Sequence, residues 1–487
     1  MKRNDPAVRR LVNAVLVPGF LGTSAPEWLV RELDAGLGGV CWFAHNLSEG
    51  GGTRALADEI HAAREGALIW CDEEGGAVSR LDAATGSPWP GHAALGQVDD
   101  VDATRAVARG IGETARRAGV DIALSPVVDV NSDAANPVIG VRSFGDTPGL
   151  VARHGAAFVD GLQSTGVAAC AKHFPGHGAT RVDSHLGLPT VDASRDVLWA
   201  RELAPFLAAA EAGVRCVMTA HVSFPAVDVE PATMSPVWMR LLREEIGFDG
   251  VVGTDALDMR AISAGVGRGE GAVRSLVAGV DAVCIGNPAY PESYEDEDVF
   301  ETVRSAILDA IDEERLDVGR VEEAAGRLAE LSAWRRDRDA EPEPDASRDG
   351  VEIARRAVRS DGDVTLDAAP LVLVHTQASI AAGDVRFPLA RYLSNGSGEA
   401  AYAEVTSVAE TQRELKRHAD LPVVVVTDGR SGTSVVDTVR DEQATAVVVH
   451  TGPTGTSAEL SAPIIHTWGG GAASARAAAE LIRGGHR

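Results

Sequence analysis

The sequence predicts an α/β protein, with an N-terminal (β/α)8 TIM-type barrel followed by a smaller α/β sandwich domain. Three observations lead there. Eight short, apolar, β-rich runs recur between residues 13 and 287. Amphipathic Ala/Arg/Glu-rich stretches separate most of them. A charged, proline-bearing stretch then precedes four further Val/Ile-rich runs.

The eight runs are "NAVLVPGF" (13–20), "GGVCWF" (38–43), "ALIWCD" (67–72), "VDIALSPVVDV" (120–130), "GVAACAKH" (166–173), "VRCVMTAH" (214–221), "DGVVGTD" (249–255) and "VDAVCIGN" (280–287). Pieces such as "TRALADEIHAARE" and "DATRAVARGIGETARRAG" carry the helical period between them. The first run is the weakest, and an open doubly wound sheet is the competing arrangement. Polar residues favour the barrel. Asp72, Lys172 with His173, His221, Asp255 and Asn287 close successive runs, and Arg142 lies in the long loop after the fourth. Loops at the carboxyl ends of barrel strands converge in space.

The chain of 487 residues exceeds one ordinary domain. Expected boundaries are a barrel over 1–334, a charged linker over 335–350 ("RRDRDAEPEPDASRDG") and a C-terminal α/β domain over 351–487. In that last domain "PLVLVHT", "LPVVVVTD", "ATAVVVHT" and "APIIHTW" read as strands. "WGGGAASARAAAELIRGG" reads as a plain glycine turn entering a helix, because no phosphate-binding spacing follows.

A net charge of −26 without any Lys/Arg run argues against nucleic acid as a partner. No segment has the length of apolar sequence that a membrane span needs. The five cysteines are odd in number, widely spaced and set in apolar runs, as buried thiols are. A cytoplasmic location is expected. The start "MKRNDPAVRRLVNAVLVPGFLG" has a basic head and an apolar run. Asn13 and Pro18 interrupt that run and no A-x-A site follows, so a first strand is preferred to a signal peptide.

The densest chemistry lies in "AKHFPGHGATRVDSH" (171–185), which holds three of the thirteen histidines and one of three lysines. Pro175, Gly176 and Gly178 rule out a helix that would set His173 and His177 on a metal, although zinc held from a loop stays open. The alternative takes Asp183 and His185 as a unit. Two residues apart in an extended loop, they face one side, and the carboxylate orients the imidazole as a general acid/base. A capping Asp beside a surface His is the bland reading of the same three residues.

These motifs resemble glycoside hydrolase family 3, in its β-N-acetylglucosaminidase branch. The resemblance rests on K-H-F-P-G-H-G followed after four residues by D-S-H. It is extended in order by "CDEEGGAVSRL" (71–81), "SPVVDVNSDAANPVIGVRSFGDTP" (125–148), "VMTAHVSFPAVD" (217–228) and "PATMSPVWMRLLREEIGFDGVVGTDALDM" (231–259). It implies that Asp255 is a nucleophile and that Asp183 and His185 form the acid/base dyad. It also implies that Asp72, Arg142, Lys172 and His173 grip sugar hydroxyls, with His221 near the same pocket. Asp258 is the wrong aspartate for the nucleophile on this reading. Ala77 and Glu73 depart from the residues common in the family, Arg and Gln, and put fine specificity in doubt.

The implied activity is a retaining exo-β-N-acetylglucosaminidase that acts on cell-wall muropeptides and needs no metal or cofactor. Lys172 and Arg142 are expected to keep Asp255 ionised. A phosphorylase or β-glucosidase of the same family is the nearest alternative, and a non-catalytic sugar-binding protein the alternative from another class. The expected partner is a small N-acetylglucosamine-containing carbohydrate, with self-association through the C-terminal domain left open.

Overall fold

The structure, a computed structural model, describes residues 4–47, 52–338, 350–376, 387–394, 399–430, 433–443, 446–453, 455–457, 460 and 463–484. The chain forms two compact units. One comprises Met1–Glu74, Thr104–Ile139 and Asp146–Asp345, the other Gly75–Ala103, Gly140–Gly145 and Ala346–Arg487.

In the first unit all eight expected runs contribute a strand: β1 (Leu16–Val17), β2 (Gly39–Trp42), β3 (Leu68–Cys71), β4 (Ile122–Ala123), β5 (Ala168–Phe174), β6 (Cys216–Thr219), β7 (Val251–Thr254) and β8 (Val283–Cys284). Strands β2 to β7 pair in parallel as sequential neighbours, and β1 pairs in parallel with β8. Two seams close the circle. The amide of Thr254 donates to Ala282 O at 2.9 Å, and those of Gly38 and Cys41 donate to Asn13 O and Pro18 O at 2.9 Å. With helices outside and side chains within, these strands are buried on both faces, which is why they read as continuous apolar runs.

Most runs are shorter as strands than expected, and for two of them the reason is local. Asn13 and Ala14 belong to the helix Pro6–Ala14, which Asp5 caps by accepting from the Ala7 amide at 2.9 Å, with Pro6 at its first turn. The fourth run leaves the sheet after Ala123. Pro126 has no amide to donate, so beyond Ala123 the run mainly accepts, Ser125 O from the Cys170 amide and Pro126 O from the Lys172 amide, before a bridge between Val127 and Lys172.

At the amino end of β8, buried Asp281 accepts from the Val252 amide at 3.0 Å and from Arg243 at 2.6 Å. It also pairs with Arg320 and Arg327. One carboxylate thus ties two strands to the outer layer at the face opposite the catalytic loops.

Of the charged stretch 335–350, Arg335 and Arg336 end the helix Val318–Arg336 and Gly350 opens the helix Gly350–Ala357. Residues 339–349 lie outside the described residues. The second unit holds a six-stranded sheet of β9 (Arg359–Asp361), β10 (Leu371–His375), β11 (Ala401–Glu404), β12 (Val423–Thr427), β13 (Ala446–His450) and β14 (Ile464–His466). Its order is β9-β14-β13-β12-β10-β11, parallel except at the β9 edge. Along β12, Val424 and Val426 face one apolar layer while Val423 and Val425 face the other. The glycine turn before the helix Ala472–Ile482 is structural. The amides of Ala472 and Ala473 both donate to Ser87 O, so that helix start is already occupied.

Among the described residues no helix is long and apolar enough to cross a membrane. All five cysteines are free thiols and four are buried.

Candidate active site

The barrel collects most of the singled-out residues at the carboxyl ends of its strands. Asp72 follows β3, Lys172 and His173 sit within β5, His221 follows β6 and Asp255 follows β7. Arg142 stands buried on a short turn, Gly140–Arg142, that belongs to the second unit.

Lys172 is 1% exposed, with its ammonium 2.7 Å from both Asp72 Oδ1 and Glu74 Oε1. A lone buried ammonium would be very costly, and the two carboxylates offset that cost. Asp72 keeps part of its side chain open to solvent. Lys172 was expected to act on Asp255. It pairs with Asp72 and Glu74.

Asp129, fully buried, organises the histidine turn. Its carboxylate accepts from His173 Nδ1 at 2.7 Å, from the His173 amide at 3.2 Å and from the His177 amide at 2.7 Å. Burial pushes this carboxyl up, but the imidazoles of His173 and His177 outweigh it and hold its pKa below the usual range. Donation from His173 Nδ1 leaves Nε2 as the ring's other face. Both nitrogens of His177 are used within the protein, Nδ1 by Thr180 Oγ1 at 2.8 Å and Nε2 by Ser184 Oγ at 2.9 Å. Burial and neighbouring His173 lower the His177 pKa to about 4, so it is neutral at neutral pH. Among the described residues no group of three or more His, Cys, Asp or Glu side chains is arranged to hold a metal ion.

Asp183 and His185 do pair, but through a turn and not the extended loop that their spacing suggested. Asp183 O accepts from the amides of Leu186 and Gly187, which closes the chain on itself. Asp183 Oδ1 accepts from the His185 amide at 2.8 Å and from His185 Nδ1 at 2.7 Å. The reason is local. An aspartate readily caps the amide two residues on, and the same oxygen then meets the imidazole. Burial raises the Asp183 carboxyl, but the bonds to His185 outweigh it and lower its pKa.

The dyad turn lies on the start of the helix Arg260–Ser263, and a short loop joins β7 to that helix. Ser184 O accepts from the Ala261 amide at 3.3 Å and His185 O from the Arg260 amide at 3.4 Å. Asp255, partly exposed, begins that loop and accepts from the Ala256 amide at 2.8 Å. Burial raises its carboxyl, but His173, His221 and His185, with the Ala256 amide, outweigh burial and hold its pKa down. The groups that keep it ionised are therefore imidazoles and a backbone amide. His221 is buried with both nitrogens engaged, Nδ1 with Thr233 Oγ1 at 2.8 Å and Nε2 with Ala256 O at 3.0 Å. It braces the residue after Asp255. Asp258 differs. Burial lifts its pKa to about 6, and its Oδ2 accepts from the Asn287 amide at 2.6 Å.

The sequence reading missed Asp129, Glu74 and Ser184. Glu74 and Ser184 lie inside the quoted motifs "CDEEGGAVSRL" and D-S-H, and Asp129 inside the fourth run, but none was singled out.

Asp255 at one strand end thus lies close enough to feel the imidazole of the Asp183–His185 pair, which is held on residues that follow it. The Glycosyl hydrolase family 3 N terminal domain pattern matches residues 23–331. The chain belongs to glycosyl hydrolase family 3. It is, by that membership, a glycoside hydrolase. It is 34% identical over 321 residues to the beta-hexosaminidase A of Pseudoalteromonas piscicida, covering 61% of this chain and 53% of that protein. To the beta-hexosaminidase of Neisseria meningitidis serogroup C it is 39% identical over 267 residues, or 53% of this chain and 73% of that one. A solved family 3 beta-N-acetylglucosaminidase from Paenibacillus sp. strain FPU-7 superposes with a TM-score of 0.87 at 30% identity, covering 98% of this chain and 97% of that chain.

Proposed function

We propose that this chain is a retaining exo-β-N-acetylhexosaminidase that releases β-linked N-acetylglucosamine by double displacement. The carrying observation is the docking of the Asp183–His185 turn, through the carbonyls of Ser184 and His185, onto the start of the helix Arg260–Ser263, shortly after Asp255 in the chain. It ties a proton donor and an ionised carboxylate to one short stretch of backbone. In the first step Asp255 attacks the anomeric carbon. His185, with Nδ1 donating to Asp183, protonates the departing oxygen from Nε2. In the second step the neutral imidazole takes a proton from water, which attacks the glycosyl–Asp255 ester and regenerates the carboxylate. Asp72, Lys172 and His173 bind the sugar hydroxyls, and His221 holds Ala256 and hence Asp255 in place. The named relatives and the Paenibacillus structure support hexosaminide as the substrate class, and cell-wall fragments containing N-acetylglucosamine fit it.

Turnover of an aryl β-N-acetylglucosaminide should greatly exceed that of the aryl β-glucoside and yield free sugar in phosphate and phosphate-free buffer alike. Asp255→Ala should abolish it while sugar binding persists. Preference for the glucoside, sugar 1-phosphate as the product, or turnover surviving Asp255→Ala would each overturn the reading.

A further inference from the structure

Three large aliphatic side chains stand in solvent around the acid/base turn: Val182 at 47% exposure, Leu186 at 63% and Leu188 at 44%. Nothing in the turn requires them. Its bonds run through the Asp183 carbonyl and carboxylate and through the amides of His185, Leu186 and Gly187, none of which needs an apolar side chain at 182, 186 or 188. Single exposed aliphatics are ordinary on a surface, but three within seven residues on one short turn are not.

The turn is also held in place. Ser184 Oγ meets His177 Nε2 at 2.9 Å, and the Ser184 and His185 carbonyls are fixed on residues 260–261. On its exit the Ser223 amide donates to Pro189 O and the Val191 amide to Ser223 O, both at 2.9 Å. The turn folds Val182 back so that its Cγ1 lies 3.9 Å from where a Cβ on Gly187 would stand. Val182 thereby comes alongside the step between Leu186 and Leu188.

We propose that Val182, Leu186 and Leu188 form an apolar lip that borders the leaving group, so that the enzyme favours aglycones with an apolar surface beside the scissile oxygen. This rests on the assignment of His185 as proton donor. A donor must approach the leaving oxygen to about 3 Å, and adjacent Cα atoms are about 3.8 Å apart. Side chains one to three residues from His185 therefore lie within reach of whatever that oxygen carries. In the chain alone these three side chains stand in water. Contact with the aglycone's apolar face removes apolar surface on both sides.

The test compares kcat/KM for two aryl β-N-acetylglucosaminides whose leaving groups have matched acidity, one with an alkyl and one with a hydroxymethyl substituent. The β-glycosyl fluoride, which has no organic aglycone, serves as the common denominator. Wild type should prefer the alkyl substrate. Leu186→Ser should cut that preference about tenfold, Leu186→Met should restore most of it, and Val182→Ser should act in the same direction. Val277→Ser is the control: that side chain is exposed near the carboxyl end of the barrel helix Arg268–Ala278, at the opposite face of the barrel.

No alkyl preference in wild type, or an unchanged ratio in Leu186→Ser, would overturn the lip. So would a wild-type dimer in sedimentation that Leu186→Ser dissolves, since the patch would then be an interface between copies. Failure of the underlying reading looks different. If His185→Ala lost activity equally on the aryl substrates and on the fluoride, the donor assignment itself would fall.

Discussion

At the residue scale the chemistry rests on which nitrogen of each imidazole is already taken. His185 gives Nδ1 to Asp183, so Nε2 is the face left for the leaving oxygen. His185→Ala should therefore lower kcat/KM by about 10²–10⁴ for a poor leaving group and far less for a dinitrophenyl one, which needs little protonation. A steady-state series over leaving-group acidity reads this as a steeper dependence in the variant, and parallel lines for variant and wild type would contradict it. Asp129→Asn tests the other carboxylate–imidazole pair. One oxygen becomes an amide NH2 within a buried set of three donors, so a loss of about 3 kcal/mol in stability is expected, with activity falling alongside. An unchanged denaturation midpoint would refute it. The Asp183–His185 pair was legible because its partners are two residues apart and locally bonded. Asp129 and Glu74 were not, because they meet His173 and Lys172 only once the barrel brings separate strands together, and sequence spacing carries no trace of that.

At the element scale, the seven-residue strand β5 carries the site and hands over to a turn with almost no tolerance. A Cβ on Gly178 would lie 1.8 Å from Val130 O, which is backbone and cannot swing aside. A Cβ on Gly176, whose φ is +136°, would lie 2.6 Å from Glu202 Oε2, the end of a side chain. Both substitutions should destabilise. Gly176→Ala should cost about 1–3 kcal/mol from its backbone conformation, and Gly178→Ala distinctly more. Thermal melts that ranked them in the opposite order would show that the Val130 segment yields more readily than the close contact suggests. The strands themselves were plain in the sequence, since a barrel interior demands short apolar runs on a regular beat. Their lengths were not. Pro126 cuts the fourth strand short, and the helix capped by Asp5 takes over the start of the first, both local effects that override an apolar run.

At the scale of the whole molecule, the two units should respond differently to acid. His450 is buried in the second unit with its pKa lowered to about 4, by burial first and then by the neighbouring imidazole of His466. In the unfolded chain the same group titrates near 6.5, so the native state binds fewer protons between those values. Its contribution is present above about pH 6.5 and is lost as pH falls toward 4, on the order of 3 kcal/mol in all. His177 and His221, both lowered first by burial, put the same kind of burden on the first unit. There, however, burial raises Glu202 to about 7 and Asp258 to about 6. These carboxyls take up protons more readily folded than unfolded, so they favour the native state as pH falls through that window and offset the histidines. In the second unit His466 is lowered as well. The depressed aspartates 129, 183 and 255 lose their contribution only below the ordinary carboxylate range, outside the window. Calorimetry at pH 7 and pH 4.5 should therefore show the transition of the second unit falling while that of the first moves little. His450→Gln, which removes the titrating group but keeps an amide of similar reach, should flatten that fall. If both transitions drop together, or the variant keeps the wild-type slope, the acid response arises elsewhere than from buried neutral histidine.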